Sequence, residues 1–239
     1  MTRVALVTGG SGGIGSAVAG VLVGRGYEVV LVARDEAKLI ETGERVGARW
    51  VVADCSVDAD VERMADAVGP AVDLLVHATG MLQGGAVRDQ SVDVLDAHYA
   101  SHVRSAHLVT RMVLDRMGAG GRIVFLSSTA GLRPMKNVSA YSVVKAGIIA
   151  FADSLALEVE ENGIAVHVVA PGPVDTPMLA RKWHSLFPAD IAYAVGFLEG
   201  LRPGVILPIF EMRSATEGPF APDLSGGGGG VGATGRKDG

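Results

Sequence analysis

The sequence predicts an α/β domain built on a doubly wound parallel sheet. Short runs rich in Val, Leu, Ile and Ala alternate along the chain with segments of helical periodicity. These apolar runs are continuous rather than alternating, which is typical of parallel strands buried on both faces. A repeated strand–helix order gives a parallel sheet with right-handed crossovers and helices on both sides. We therefore expect a single domain with this architecture.

The predicted strands follow from the apolar runs and from the turn residues that bound them. The last strand is short and is expected at an edge of the sheet. In chain order, the predicted strands are Arg3–Thr8, Glu28–Ala33, Arg49–Ala53, Val72–His77, Gly121–Ser127, Ile164–Val169 and Val205–Phe210.

The segments between the strands predict helices. In the first segment Ile14, Val18, Val21 and Leu22 recur at helical spacing, which places them on one buried face. Asp58 is expected to cap the third helix. In chain order, the predicted helices are Ile14–Arg25, Glu36–Val46, Asp58–Val68, Val92–Met117, Tyr141–Asn162 and Pro188–Leu198.

Composition excludes several classes of protein. The 239 residues include 21 Lys and Arg and 26 Asp and Glu, a formal net charge of −5. Without a dense basic run, neither nucleic acid nor an anionic membrane surface is expected as a partner. Mean hydropathy is high at +0.34, but no apolar run approaches the roughly 18 residues of a spanning helix. The hydrophobicity therefore belongs to a core.

Cysteine, histidine and the two termini add further limits. Cys55 is the only cysteine, and the 6 histidines are scattered, so neither a disulfide nor a metal site is expected. Met1 stands almost directly before a strand, which leaves no room for a signal peptide and makes the cytoplasm the expected compartment. Residues 225–239 are glycine-rich and almost without apolar side chains, so we expect a disordered tail after a domain of residues 1–224.

The first chemical signal is the glycine turn between the first strand and the first helix. Gly9, Gly13 and Gly15 follow Thr8 at spacings that permit a tight turn, a close backbone approach and close helix packing. The helix N-terminus would then face the phosphates of a dinucleotide. This context favours a Rossmann-type nucleotide site. The alternative is an ordinary strand–helix turn without a nucleotide.

The second signal is a hydroxyl, a phenol and an amine brought to one place. Tyr141 and Lys145 are four residues apart, so both side chains leave one face of the predicted helix. Ser128 ends a buried strand thirteen residues before Tyr141, at the sheet edge where such folds bind ligands. A nearby ammonium is expected to lower the pKa of the Tyr141 phenol towards a value useful for acid–base work. The alternative is a chance Tyr–Lys pair on an exposed helix.

Together these residues resemble the short-chain dehydrogenase/reductase family, and the resemblance covers roughly residues 4–210. The motifs that carry it are Thr8-Gly-x-x-x-Gly13-x-Gly15, Ser128 with Tyr141-x-x-x-Lys145, and Pro171-Gly172-Pro173-Val174-Asp175-Thr176. The resemblance implies that Tyr141 transfers a proton to or from the substrate oxygen. It also implies that Ser128 holds that oxygen, while Lys145 binds the nicotinamide ribose.

The resemblance also implies a set of cofactor contacts. Thr176 and the backbone near Val174 would hold the carboxamide of the nicotinamide, and Asp54 would contact the adenine. The full set of expected cofactor-binding residues is Thr8, Gly9, Ser11, Gly13, Ile14, Gly15, Arg34, Asp54, Cys55, Ala78, Gly80, Tyr141, Lys145, Pro171, Gly172, Val174 and Thr176.

Two positions depart from the family pattern. After the fourth strand the family has Asn-Asn-Ala-Gly, where this chain has His77-Ala78-Thr79-Gly80. The family's fourth catalytic residue is an Asn that supports a water in a proton relay, and His102 stands in its place. A histidine can hydrogen-bond a water and titrates near neutral pH, so a relay can persist in altered form. The alternative is that His102 only packs against its neighbours.

The residues after the second strand predict the choice of cofactor. A carboxylate there would bind the ribose 2′-hydroxyl, whereas a cation would favour a 2′-phosphate. The chain reads Val32-Ala33-Arg34, with no acid at the expected position, and Asp35 follows. Since a guanidinium suits phosphate, NADP(H) is expected as the preferred cofactor, with NAD(H) as an alternative. Arg34 can also be a solvated residue at the start of a helix.

The predicted activity is NADP-dependent reduction of a ketone or aldehyde, reversible to alcohol oxidation, with Tyr141 as general acid/base. A non-catalytic nicotinamide sensor on the same fold, and a C=C or imine reductase, are the alternatives. The segment from Pro177 to Pro188 is expected to cover the substrate, as a short hydrophobic lid or as residues packed on the core. Its apolar residues are Met178, Leu179, Trp183, Leu186 and Phe187.

The two long predicted helices indicate the oligomeric state. They carry apolar residues beyond one core stripe: Val103, Val109, Val113, Ile149, Phe151 and Leu155. A helix that is apolar on more than one side is buried on more than one side. The family resemblance implies that these helices pair across a two-fold axis, which gives a homodimer or homotetramer.

Overall fold

A computed structural model describes residues 2–133, 135–179 and 185–215 of the chain. Its centre is a seven-stranded sheet in the order β3-β2-β1-β4-β5-β6-β7, in which every neighbouring pair is parallel. The strands are β1 Arg3–Thr8, β2 Tyr27–Ala33, β3 Arg49–Val52, β4 Leu74–His77, β5 Arg122–Leu126, β6 Ala165–Pro171 and β7 Ile209–Met212. The predicted doubly wound α/β fold is confirmed.

Helices cover both faces of the sheet. They are α1 Gly13–Gly24, α2 Glu36–Val46, α3 Asp58–Val68, α4 Val92–Tyr99, α5 Ser105–Leu114, α6 Thr129–Leu132, α7 Ser139–Val159 and α8 Pro188–Glu199. A π-helical segment, Ala100–Arg104, joins α4 to α5, and single 3₁₀ turns lie at Val87–Asp89 and Glu160–Asn162. One core contains α3, α5 and α7, and the other contains α1, α2 and α8.

The central strands divide their side chains between these two cores. In β5, Ile123 and Phe125 pack against the first core, and Val124 and Leu126 pack against the second. Successive side chains of a strand point to opposite faces, so a strand covered on both sides must be apolar throughout. This explains why the strands read as continuous apolar runs in the sequence.

Three details differ from the sequence-based expectations. The prediction that Asp58 caps α3 is wrong: Val57 is the N-cap without a side-chain hydrogen bond, and Asp58 instead pairs with Arg111 at 3.0 Å. The helix expected to run unbroken from Val92 is interrupted by the π-helical segment and ends at Leu114. The short helix α6 was not predicted.

The apolar residues expected to form a second face on the long helices lie mostly inside the core. Val109, Val113 and Leu155 are buried against the sheet, so that prediction is wrong for these three positions. Ile149 and Phe151 are partly buried and also pack on the core. Among the described helices, none is both long and apolar enough to cross a bilayer. The tail from residue 225 lies outside the described residues.

The order of the strands defines where a ligand fits. Chain order reverses between β1 and its neighbour β4, so the connections from these strands leave towards opposite faces of the sheet. A crevice opens at such a switch point, outside the carboxyl ends of the strands. The glycine turn after β1 and the segments after β4 and β5 therefore meet at one edge of the sheet.

Candidate active site

The turn between β1 and α1 brings bare backbone to this edge. Gly9 adopts a φ of +66°, and a Cβ there would lie 2.7 Å from the Ala78 carbonyl oxygen. A Cβ on Gly15 would collide with the Gly9 carbonyl. No side chain caps the N-terminus of α1, so its first N–H groups stay available. The turn has the close approaches and the free helix N-terminus that a pyrophosphate requires.

Ser128 and Tyr141 meet beside this turn. Ser128 follows β5 as the N-cap of α6, where its hydroxyl accepts from the Ala130 N–H at 3.2 Å. Tyr141 lies in the first turn of α7, and its hydroxyl is hydrogen-bonded to Ser128. The structure therefore brings together the predicted phenol and hydroxyl at the carboxyl edge of the sheet.

Lys145 is buried one turn further along α7, where two hydrogen bonds join this helix to β5. Its Nζ donates to the Leu126 carbonyl at 2.8 Å, and the Ser127 hydroxyl donates to the Lys145 carbonyl at 2.8 Å. The ammonium lies 5.5 Å from the centroid of the Tyr141 ring. These reciprocal bonds fix Lys145 and the end of β5 relative to each other.

The protonation of this pair differs from the sequence-based expectation. Burial raises the pKa of Tyr141 to about 12, although its hydrogen bond with Ser128 lowers it in part. Burial also lowers the pKa of Lys145 to about 7. The prediction that Lys145 lowers the pKa of Tyr141 is therefore wrong for this structure, because removal from water dominates at both groups. Tyr141 is protonated at neutral pH.

One pocket gathers most of the predicted residues. It is lined by Ser128, Tyr141, Lys145 and His102, and by the expected cofactor contacts Ile14, Ala78, Gly80, Pro171, Gly172, Val174 and Thr176. Thr176 also lies against the glycine turn, since a Cβ on Gly13 would lie 3.1 Å from its methyl carbon. The predicted lid contributes Met178 and Leu179 to the pocket wall.

The rest of the predicted lid behaves differently. Leu186 pairs with the segment after β6, donating its N–H to the Pro173 carbonyl at 2.8 Å, and packs against the core. Phe187 is exposed and precedes α8. Trp183 lies outside the described residues. Of the described residues in this segment, Met178 and Leu179 line the pocket and Leu186 packs on the core, and the lid stays a prediction.

The residues expected at the adenosine end lie after β2 and β3. The Arg34 guanidinium is 3.7 Å from the Asp54 carboxylate, and its side chain is 76% exposed. Asp54 also accepts from the backbone N–H and hydroxyl of Ser56, at 2.9 and 2.7 Å. Cys55 is buried, and burial raises the pKa of its thiol to about 12. Asp35 turns away to cap α2 and pairs with Lys38.

Comparison with known proteins identifies the family. Residues 3–186 match the family model described as short chain dehydrogenase. The chain belongs to the short-chain dehydrogenase family. It is therefore an NAD(P)-dependent short-chain dehydrogenase/reductase, as the motifs predicted.

Individual relatives agree with this assignment. The 3-oxoacyl-[acyl-carrier-protein] reductase FabG of Salmonella typhimurium is 33% identical in an alignment of 186 residues that covers 74% of this chain and 75% of that protein. An uncharacterised oxidoreductase of Staphylococcus epidermidis is 33% identical in an alignment of 183 residues that covers 74% of this chain and 80% of that protein.

Solved structures of short-chain dehydrogenases have the same fold. One from Burkholderia cenocepacia, in complex with NADP, superposes with a TM-score of 0.81 at 28% identity, covering 90% of this chain and 97% of its own. One from Serratia marcescens gives a TM-score of 0.82 at 25% identity, covering 88% and 95%.

His102 occupies the position where the family pattern has Asn, and it lies in the π-helical segment. Its Nε2 lies 3.1 Å from the Met81 nitrogen and 2.9 Å from the Met81 oxygen, so it accepts from one or donates to the other according to its tautomer. Burial lowers its pKa to about 2. The expectation that His102 titrates near neutral pH is wrong, because the ring is almost completely removed from water.

His77, the other departure from the family pattern, joins the glycine turn to the π-helical segment. The Ser105 hydroxyl donates to the Ser101 carbonyl at 2.8 Å, so its oxygen is free to accept from His77 Nε2 at 3.1 Å. His77 Nδ1 then accepts from the Thr8 hydroxyl at 3.0 Å. Thr8 is buried in this chain of hydrogen bonds, so its side chain supports the turn from beneath.

His98 is a residue whose role the sequence did not reveal. It is buried on α4, one turn before His102, and its ring stacks on that of His102 at 6.1 Å. Its Nδ1 donates to the Val94 carbonyl at 2.7 Å, which leaves Nε2 to accept from the Gln83 N–H at 3.3 Å. The two histidines thus hold the Met81–Gln83 segment by its backbone. Their four-residue spacing was the only sequence signal.

Proposed function

We propose that the protein is a reductase of ketones or aldehydes that prefers NADPH and is reversible to alcohol oxidation. The observation that supports this most directly is the convergence of Ser128, Tyr141 and Lys145 beside Thr176 in one pocket. The pocket opens beside a glycine turn shaped for a pyrophosphate. A sensor protein would have no need of this arrangement of acid and hydroxyl.

The cofactor fits the glycine turn and the segments around it. Gly9, Gly13 and Gly15 would approach the pyrophosphate, and the N–H groups of α1 would face its charge. Thr176 and the Val174 backbone would hold the carboxamide, while Asp54 and the Cys55 backbone would contact the adenine. Once bound, the nicotinamide supplies or accepts the hydride.

The protein's own part in the reaction is to bind the substrate oxygen and to move a proton. In the reduction direction, Tyr141 donates its hydroxyl proton to the carbonyl oxygen, and Ser128 hydrogen-bonds the same oxygen. A phenol with a raised pKa is protonated at neutral pH, so Tyr141 holds the proton that the reduction requires. Lys145 lies one helical turn after Tyr141 on the same face of α7. It would bind the nicotinamide ribose. In alcohol oxidation the same phenol must first lose its proton.

For His102 we propose a hydrogen-bonding role without a change of charge. Its ring lines the pocket, and its Nε2 is engaged by Met81. Since its pKa lies far below neutrality, the ring is neutral at physiological pH. It can therefore order a water beside the pocket through Nδ1, but it does not pass through an imidazolium form.

Arg34 supports the preference for NADPH. Its guanidinium is exposed beside the predicted adenosine site, and its contact with Asp54 is long enough at 3.7 Å to be exchanged for a phosphate contact. Asp35, the nearest competing carboxylate in sequence, is engaged by Lys38 at 2.8 Å. The exposed Arg34 guanidinium is therefore placed to bind a 2′-phosphate.

A panel of carbonyl compounds tests the proposed function. Each compound is incubated with the protein and either NADPH or NADH, and loss of cofactor absorbance is followed. We expect reduction of at least one ketone or aldehyde, with higher kcat/KM for NADPH. The absence of any cofactor oxidation across aliphatic and aromatic ketones and aldehydes, in a protein that binds NADPH, would contradict the proposal.

A further inference from the structure

The part of the pocket away from the glycine turn is apolar. Three separate segments contribute to it, one after β4, one before α7 and one after β6. Their side chains in the pocket are Met81, Leu82, Met135, Val138, Met178 and Leu179. Three of these six are methionines, whose unbranched and polarisable side chains adapt to ligands of different shape.

Charged partners are scarce in the same pocket. Among the lining residues in the described part of the chain, the ionisable side chains are Tyr141, Lys145 and His102, with no Asp, Glu or Arg. Lys145 already donates to the Leu126 carbonyl, and His102 is engaged by Met81. Within this described lining, a carboxylate or phosphate beside the reacting carbonyl would therefore lose its hydration and find no guanidinium to replace it, which is costly.

One wall of the pocket is fixed and the other can adjust. Met81 and Leu82 belong to the segment that His98 and His102 hold by its backbone. In the other two segments, Met135 is partly exposed and Met178 is exposed. The pocket thus accepts variation in the size of an apolar group more readily than it accepts a charge.

We propose that the substrate is an uncharged, apolar carbonyl compound, and that the site discriminates against carboxylate or phosphate groups close to the reacting carbonyl. The main polar contacts of the substrate are then those of Ser128 and Tyr141 with its oxygen. This inference rests on the proposed carbonyl reduction and names its substrate class.

Three ketones of similar length test it: 2-hexanone, methyl 4-oxopentanoate and 4-oxopentanoate. Methyl 4-oxopentanoate is the uncharged methyl ester of 4-oxopentanoate, so these two compounds differ only in the carboxylate charge and the methyl group. We expect the ketone and the ester to be reduced with kcat/KM at least about tenfold above that of the carboxylate. Equal values for the ester and the carboxylate, or a preference for the carboxylate, would overturn the inference.

Binding measured without turnover separates this inference from the proposed function. In the NADP⁺ complex, hydride transfer to a ketone is blocked, so calorimetry reports affinity alone. Tighter binding of the ester than of the carboxylate supports the inference even if neither compound is later reduced. Reduction of both compounds with equal affinity keeps the proposed function and removes the inference.

Substitutions of the methionines test the cause of the discrimination. Met135→Lys places an ammonium in the apolar wall and should bring the ester-to-carboxylate ratio of kcat/KM down about tenfold, with Met135→Leu as the matched control that retains it. Met178→Lys repeats the test at an exposed position, where the fold is not at risk. A ratio that stays at the wild-type value in both lysine variants would show that the missing counter-charge is not the cause.

Discussion

Among individual residues, Tyr141 has the most demanding proposed role. Tyr141→Phe keeps the ring but removes the proton, so kcat should fall by at least about 10²–10⁴-fold. NADPH affinity should stay within about twofold of the wild type, since a phenol is not a main determinant of dinucleotide binding. Lys145→Ala should impair both, because Lys145 is also assigned a ribose contact. Steady-state kinetics and fluorescence titration measure the two effects, and turnover near wild type in Tyr141→Phe would remove it as the acid.

Arg34 carries a prediction about the cofactor. Arg34→Ala should weaken NADPH by roughly tenfold to a hundredfold, which corresponds to the loss of one charge-assisted contact. NADH affinity should change little, because NADH has no 2′-phosphate. Arg34→Lys is the matched control, since it retains the charge but loses the planar fork. Equal weakening of both cofactors in a binding titration would show that Arg34 only pairs with Asp54.

At the level of elements, the contact between β5 and α7 buries Lys145 at the edge of the core. The folded state lowers the pKa of Lys145 from its ordinary 10.5 to about 7, because burial disfavours the ammonium. Between these values the unfolded chain binds the proton more strongly, so this group's penalty is complete below pH 7 and fades as pH rises towards 10.5. Lys145 therefore destabilises the folded protein most in acid.

Because the buried lysine destabilises the folded protein, a variant that removes it should lose activity and gain stability. Lys145→Met should abolish activity and raise the free energy of unfolding below pH 7 by on the order of a few kcal/mol. The gain over wild type should shrink as the pH approaches 10. Urea unfolding at pH 6.5, 8 and 9.5 measures it, with Tyr141→Phe as a control that leaves the lysine in place. A difference from wild type that does not vary with pH would refute the assignment.

Elements whose signals are local in the sequence were predicted well. The glycine turn and the strands have their own composition and spacing, so their order and type are confirmed. The π-helical segment has no such signal, because the same residues read as ordinary helix. Its position depends on contacts with other elements, such as those of Ser105 with His77 and of His102 with Met81. The ion pair of Asp58 was not predictable for the same reason, since its partner Arg111 lies on another helix.

The candidate site also has features that the sequence predicts and features that it does not. Residue types at motif spacing identified Ser128, Tyr141 and Lys145, and the structure brings them into one pocket. Their protonation was not predictable, because desolvation depends on every element that packs around them. His98 was overlooked for the same reason, since its partners Val94 and Gln83 become evident only after folding.

On the scale of the whole molecule, assembly remains a prediction that the family resemblance carries. The surface of α7 retains two exposed apolar residues, Val143 at 63% and Leu157 at 77% exposure. A dimer or tetramer that pairs the long helices would cover them. Light scattering at micromolar concentration should therefore give at least twice the monomer mass, and Leu157→Glu should lower it, with the exposed Val87→Glu as a control. An active monomer would contradict this expectation.

The paired hydrogen bonds between β5 and α7 have a consequence for how this protein can diversify. Lys145 and Leu126 fix the two ends of an intervening stretch that includes Met135 and Val138. Met135 and Val138 can change without moving Ser128 or Tyr141, since Ser128 is held as the N-cap of α6 and Tyr141 lies in the first turn of α7. Part of the pocket wall can thus change independently of the residues that carry the chemistry. New substrates can be acquired by replacing these wall side chains while the proton donor stays where it is.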